Sequence, residues 1–162
     1  MAAHVVWQAG PAEATAVSDL LVGFRDWAGS SWPSADMFHA SVQTLIQDAN
    51  TAFLLGSVDR DAPPEGVCQL RFRLSVWTAS EDCWIEDVYV LEHARRTGLG
   101  RALVDAACAH ARRRGCGRIE LDVNEDNAPA MRLYRSIGFS PHSKGMSETA
   151  RDVLMGMKLS DG

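Results

Sequence analysis

Between Cys83 and Ala107 the chain reads CWIEDVYVLEHARRTGLGRALVDAA, and the residue types in that run are those of an anion cradle. A strand-like stretch, Trp84 to Leu91, passes through a polar basic loop into Gly98-Leu99-Gly100, which opens an amphipathic helix. The first turn of a helix carries backbone N–H groups with no intrahelical acceptor, and the helix dipole adds partial positive charge there. Such an end accepts an anion, and glycine lets the anion reach the backbone with no Cβ in the way. Arg95, Arg96 and Arg101 surround the turn with fixed positive charge, and guanidinium suits phosphate oxygens. The simplest ligand for this cradle is a phosphate or pyrophosphate.

The strand before the loop carries a second kind of chemistry. Glu86 and Asp87 stand side by side in Trp84-Ile85-Glu86-Asp87-Val88-Tyr89-Val90. Strict alternation places Glu86 with Trp84, Val88 and Val90, and Asp87 on the other face. A carboxylate among apolar strand neighbours is costly unless it has a partner or a task, and partial desolvation raises its pKa toward the range of a base. A salt bridge to Arg71 or Arg73 is the competing structural role. Further on, Arg118 to Val123 alternates charged and apolar residues, the period-two pattern of a half-buried strand. Asn124 to Pro129 follows as a turn with side-chain caps and a proline suited to a first helical turn. Ala130, Leu133, Tyr134 and Ile137 then fall at helical spacing as the core stripe of a short helix that Gly138 stops. By residue type alone, Asn127 is a helix cap and Tyr134 a core aromatic with a satisfied hydroxyl.

Three phosphate loops compete for the glycine spacing. The triphosphate loop needs Gly-Lys-Ser/Thr after a longer interval, and the chain has none. The dinucleotide fingerprint needs a third glycine where Leu103 stands, with the strand running almost directly into the first; Glu92 to Thr97 intervene here. Glu120 and Asp122 do lie about twenty residues downstream, where a ribose-binding acid would stand, so that reading is weakened and not excluded. The third pattern is Arg/Gln-x-x-Gly-x-Gly/Ala, filled by Arg95-Arg96-Thr97-Gly98-Leu99-Gly100. It resembles the acyl-CoA-binding motif of the GNAT superfamily of N-acetyltransferases. The string VNEDNAPAMRLYRSIGF is similar to a second segment of that superfamily, V-N-x-x-N-x-x-A-x-x-L-Y-x-x-x-G-F, at every specified position. The resemblance covers roughly residues 65 to 140.

What the resemblance implies is specific. The fold would be a GNAT-like α/β sandwich, a mixed central sheet of about seven strands flanked by four helices, in one domain over residues 1–162. Acetyl-CoA or coenzyme A would bind with its pyrophosphate on the loop from Arg95 to Arg101, including Thr97, Gly98, Leu99 and Gly100. Backbone groups of Val88, Tyr89 and Val90 would pair with its pantetheine arm, and Asn127 would contact it. Tyr134 would sit near the sulfur as general acid, a sensible donor to a thiolate since a phenol has a pKa near 10. In members that acetylate polyamines a Glu-Asp pair stands at the positions of Glu86 and Asp87, recognising a cationic amine and accepting its proton. The acceptor wall would be the loop DWAGSSWPSADM, where Trp27, Trp32, Asp26 and Asp36 have the composition to hold a cation between ring faces and carboxylates.

The rest of the chain is consistent with this. A length of 162 residues suits one domain, 46% hydrophobic and 23% charged residues describe an ordinary globule, and a net charge of −5 argues against general nucleic-acid binding. No apolar run approaches a membrane span and no secretory leader opens the chain. Cys68, Cys83, Cys108 and Cys116 form no CxxC pair, so they are expected as reduced structural thiols in the cytoplasm, with no metal site. Expected elements are a strand at Ala3–Gln8, helices at Pro11–Trp27 and Ser34–Asp48, and strands at Thr51–Val58 and Val67–Trp77. A hairpin connection, Thr78–Asp82, leads into the central strand, and two last strands are expected at Phe139–Lys144 and Val153–Leu159. Arg112-Arg113-Arg114 are expected to offset the dipole at a helix end and stay solvated. His93, His110 and His142 show no pattern that nominates a base. A small basic amine, either a polyamine or an amino sugar, is the leading acceptor, with a protein N-terminus or lysine as the next class. A homodimer is left open. An acyl-CoA sensor without turnover and a nucleotide-dependent oxidoreductase are the other two functional classes.

Overall fold

Every residue of Thr51–Ser57 (β2) is buried, so this strand sits inside the sheet with both faces covered. The computed structural model, which describes residues 4–141 and 155–158, places it second in a five-stranded mixed sheet of order β1-β2-β3-β4-β5. β1 is Val5–Gln8, β3 is Gly66–Ser75, β4 is Ser80–Val90 and β5 is Arg118–Leu121. The first four run antiparallel to their neighbours, and β5 runs parallel to β4. That parallel pair is joined by α3, Leu99–Arg114, the crossover a parallel connection requires.

Between β1 and β2 lie α1 (Ala14–Trp27), entered through a 3-10 turn at Pro11–Glu13, and α2 (Ala35–Leu45). Ser34 caps α2 by accepting from the amide of Met37 at 3.3 Å. Val17, Leu20 and Leu21 of α1 and Val42 of α2 pack with Phe53, Leu55, Val67 and Tyr89 into one buried cluster. Those strand residues share one face of the sheet by alternation and register. α3 covers the opposite face, burying Leu99, Leu103, Val104, Ala107, Cys108 and Ala111 along a helical stripe. There Gly56 and Gly66, paired across β2 and β3, take the ends of Leu99 and Leu103.

The chain divides into two compact units, Met1–Asn124 and Glu125–Gly162. In the second, α4 runs from Ala128 to Ile137 and stops at Gly138. Its apolar stripe, expected to be core, is half-buried: α4 has no buried residue. Two expectations need correction elsewhere. β4 begins at Ser80, inside the stretch expected to connect the hairpin. Arg114 is not a free solvated cation. It donates from Nη2 to Glu81 Oε1 at 2.8 Å, from Nη1 to the Ala49 carbonyl at 2.7 Å and from Nη2 to Asn50 Oδ1 at 3.2 Å, and it covers the Phe72 ring at 4.1 Å. It thereby ties the end of α3 to the starts of β2 and β4. The last two expected strands lie largely outside the described residues, as does His142; their described parts, 139–141 and 155–158, carry no strand. Five strands and four α-helices are therefore present among the described residues.

Candidate active site

α3 starts from Gly98 at φ 98°, a left-handed conformation that favours glycine. Its first turn has no side-chain cap and no acidic residue, whereas α2 and α4 are capped by Ser34 and Asn127. The orphan amides of that turn are thus left, like those of α1, without the side-chain acceptor that α2 and α4 have. Leu99, fully buried against Gly56 and Gly66, anchors the helix end to the sheet. Around it, Arg96 is exposed with φ 64°, and Arg101 is exposed and lies 3.6 Å from Asp105 one turn on. Thr97 donates to the Ala94 carbonyl at 2.7 Å and lies 3.1 Å from His4 Nε2.

Arg95 departs from the expected crown of charge. Its Nε donates to the Val90 carbonyl at 2.9 Å, and its guanidinium carbon lies 5.2 Å from the Trp27 ring centroid and 5.6 Å from that of Tyr89. The guanidinium therefore lies over two rings at the α1 side of the sheet.

β4 and β5 pair only from Asp82 to Ile85 and from Arg118 to Leu121. Beyond Ile85, β4 continues to Val90 with β3 on one side and, among the described residues, no strand on the other. On that side Val88, Tyr89 and Val90 have no strand partner among the described residues, while the Val90 carbonyl accepts from Arg95 Nε, and the chain runs on through the turn Glu92–Ala94 to the glycine-opened loop. A peptide-like ligand arm fits such an edge by adding ladder-type hydrogen bonds.

The pairing of β4 with β3 changes the expected faces. Gln69 pairs with Asp87 and Leu70 with Ile85, so Glu86 is the extra residue of a bulge. Alternation breaks there: Asp87 joins Trp84 and Tyr89 on the face covered by α1 and α2, while Val88 and Val90 join Ile85 beneath α3. The expected grouping of Glu86 with Trp84, Val88 and Val90 does not survive the bulge. Glu86 is exposed. Asp87 is half-buried, and burial, followed by the neighbouring Glu86 charge, pushes its carboxyl up to about 6. The competing salt bridges are taken elsewhere, for Arg71 lies 3.9 Å from Asp48 and Arg73 3.9 Å from Glu120. Gln69, buried opposite Asp87, is a site neighbour that sequence reading missed. The acid pair interrupting an apolar strand was the one signal for the bulge.

On the acceptor side, Trp27 and Trp32 are 57% and 64% exposed and make no ring contact with each other. Trp27 stacks on Phe24 at 6.0 Å, and Phe24 on Tyr89 at 5.5 Å. Asp36 is exposed in the first turn of α2, while Asp26 is paired with Arg25 at 2.6 Å. The imagined box of two rings and two free carboxylates is therefore only partly available, since Asp26 is neutralised by its neighbour and Trp27 already carries the Arg95 cation. Gly23, inside α1, leaves room for the Tyr89 ring, which a Cβ there would meet at 3.3 Å.

In the second unit, Asn127 Oδ1 accepts from the Ala130 amide at 3.2 Å, the cap its residue type suggested. Tyr134 is half-buried and edge-on to Phe139 at 5.8 Å. Glu120, once a candidate for a ribose hydroxyl, is buried beside Arg118 at 3.2 Å. Burial pushes the Cys83 thiol up to about 12 and raises Cys68, Cys108 and Cys116 as well, so none is a ready nucleophile. His110, stacked on Phe72, is lowered by burial and by Arg113 and Arg114.

Comparison with known proteins bears on the family and the fold. The model of the acetyltransferase (GNAT) family matches residues 18–139. No curated protein matches the chain. Among solved structures, a candidate acetyltransferase from Arthrobacter sp. FB24 is similar at 27% identity and TM-score 0.82, over 97% of this chain and 98% of that one. The aminoglycoside N-acetyltransferase AAC(6')-Iy, solved with a bisubstrate analogue, shares the fold at 18% identity and TM-score 0.73, over 96% and 99%. A ribosomal-protein-alanine N-acetyltransferase from Brucella melitensis biovar Abortus 2308 does so at 18% and 0.70, over 93% and 100%.

Proposed function

The chain belongs to the GNAT acetyltransferase family, and from that premise we propose that it transfers an acetyl group from acetyl-CoA to the primary amine of a small basic metabolite, a polyamine or an amino sugar. One observation carries the cofactor reading: the unpaired edge of β4 leads directly to an α3 end with a left-handed glycine and no side-chain cap. A diphosphate with a peptide-like arm matches both parts. When bound, acetyl-CoA supplies an acetyl thioester that is already activated toward an amine.

The chain's own residues supply position and proton traffic. Amides from Arg96 to Arg101 hold the pyrophosphate, and backbone groups of Val88, Tyr89 and Val90 align the arm. Holding both reactants in line can remove roughly 7–11 kcal/mol from the barrier. Asp87 is the acid we assign to the ammonium proton, directly or through one water, because a carboxyl near 6 is ionised at neutral pH yet basic enough to help. Glu86, exposed at the bulge, adds negative charge that attracts the cationic acceptor. Tyr134 donates its hydroxyl proton to the departing sulfur, and Asn127 contacts the cofactor while its Oδ1 caps α4. Trp32, Asp36 and Trp27 wall the acceptor.

The acceptor class is supported by the chain's net charge of −5, the Glu86–Asp87 pair, and a fold shared with aminoglycoside acetyltransferases. A cytoplasmic setting is supported by four free cysteines, and no helix among the described residues is long and apolar enough to cross a membrane. The test has two stages. Acetyl-CoA at about 100 times its dissociation constant should stabilise the protein by about 2.7 kcal/mol, and NAD or NADP should not. Thiol release is then followed with polyamines, aminoglycosides and N-terminal peptides. Stabilisation without release on any amine would make the protein a sensor, and release on peptides alone would move the acceptor class.

A further inference from the structure

One cation in the first unit is joined to three parts of the site at once. Arg95 belongs to the glycine-opened loop by its backbone, which leaves the 3-10 turn Glu92–Ala94 in extended conformation. Its Nε holds the Val90 carbonyl at 2.9 Å, at the last residue of β4. Its guanidinium lies over Trp27, the last residue of α1, and over Tyr89 of β4. Among the described residues no carboxylate pairs with Arg95, so the rings and one carbonyl are what position it. α1 is pressed against the same ring, through Phe24 at 5.5 Å and through Gly23, where a Cβ would stand 3.3 Å from Tyr89.

We propose that Arg95 is a positioning residue that couples the acceptor wall to the phosphate loop, so that Trp27 sets part of the affinity for acetyl-CoA. This rests on the acetyl-CoA reading above. Trp27 ends α1, and the acceptor loop begins at the next residue. A ring that shifts there shifts the guanidinium, which is bonded to the strand end and continuous with the loop. Arginine is needed because its plane stacks on rings while its edge donates; an ammonium offers a point charge and no plane. Coupling of this kind is reciprocal: an acceptor that fixes Trp27 raises acetyl-CoA affinity by the factor that acetyl-CoA raises acceptor affinity.

The experiment is a double-mutant cycle on Trp27→Leu and Arg95→Lys, reading the acetyl-CoA dissociation constant by calorimetry and the melting temperature on the same preparations. Trp27 is 57% exposed and lies outside the buried cluster, which it meets through Phe24, so the melting temperature reports any loss of packing there. Each single change should weaken acetyl-CoA about three- to tenfold, within the range of a partly exposed cation–π contact. The double variant should be no weaker than the weaker single one. Trp27→Tyr should restore most of the loss. Trp32→Leu, in the same loop with no ring contact to Arg95, should raise the acceptor KM and leave acetyl-CoA affinity within twofold. Wild-type affinity in a folded Trp27→Leu protein, or effects that multiply in the double variant, would overturn the coupling. A wild-type protein that binds no acetyl-CoA would instead overturn the function on which it rests.

Discussion

Gly56 and Gly66 face each other across β2 and β3, and the buried ends of Leu99 and Leu103 fill the space two Cβ atoms would need. A Cβ at Gly56 would stand 2.8 Å from Leu99 Cδ1, and one at Gly66 would stand 2.9 Å from Leu103 Cδ1. Leu99 is the first residue of α3, so this notch sets where the glycine-opened end of the helix lies.

Gly66→Ala is therefore a substitution with a functional reach. Overpacking costs typically about 1–3 kcal/mol, and here it also displaces the helix end. We expect a lower melting temperature together with weaker acetyl-CoA binding, measured by calorimetry well below the transition. A destabilised variant with unchanged affinity would show that the notch serves stability alone.

At Gly98 the backbone itself is the constraint. With φ at 98°, Gly98→Ala carries strain of about 1–3 kcal/mol. If the loop amides hold a pyrophosphate, the shifted amides should also cost more than tenfold in coenzyme A affinity while circular dichroism stays native. Tight binding by the strained variant would remove the loop from the cofactor site.

Asp87 makes the pH dependence of stability predictable in sign. Its carboxyl sits at about 6, above the ordinary carboxylate range. The folded state therefore holds the proton more tightly than the unfolded one. The contribution is fully present below about pH 4 and is lost as pH rises through 6. Asp87→Asn should accordingly stabilise the protein at pH 8, on the order of 2 kcal/mol, and leave it unchanged at pH 4. The same substitution should abolish the acidic limb of the kcat/KM profile near pH 6. Glu86→Gln should lower turnover more than acetyl-CoA affinity, and should move that limb to lower pH, because it removes a charge that raises Asp87. A limb that stays in place would separate Glu86 from the titrating group.

Tyr134→Phe deletes a hydroxyl and keeps the ring that meets Phe139. As the proton donor to sulfur, the hydroxyl should show a fall in turnover of roughly 10²–10⁴-fold with acetyl-CoA affinity preserved. Single-turnover rate and melting temperature on one preparation decide the matter. A less stable but fully active variant would leave Tyr134 as a packing residue.

Much of this protein was readable along the chain because the relevant physics is local. The two-residue period of β5, the helical stripes of α1 and α3, the Ser34 and Asn127 caps and the glycine stops at α3 and α4 all involve residues within a few positions of each other. The loop from Arg95 to Gly100 was legible for the same reason, since an uncapped helix end opened by glycine is a property of six consecutive residues.

What tertiary structure alone decided concerns residues far apart in sequence. The bulge at Glu86 exists in the pairing with Gln69 and Leu70, and it put Asp87 on the same face as Trp84, where strict alternation had set them apart. Arg95 read as one charge of the anion cradle and Arg114 as a solvated helix-end cation; rings and carbonyls brought from other elements give each its partners. A side chain's solvation and partners, and hence its pKa and its role, depend on what packs beside it across the fold, and the order of residues along one segment carries none of that.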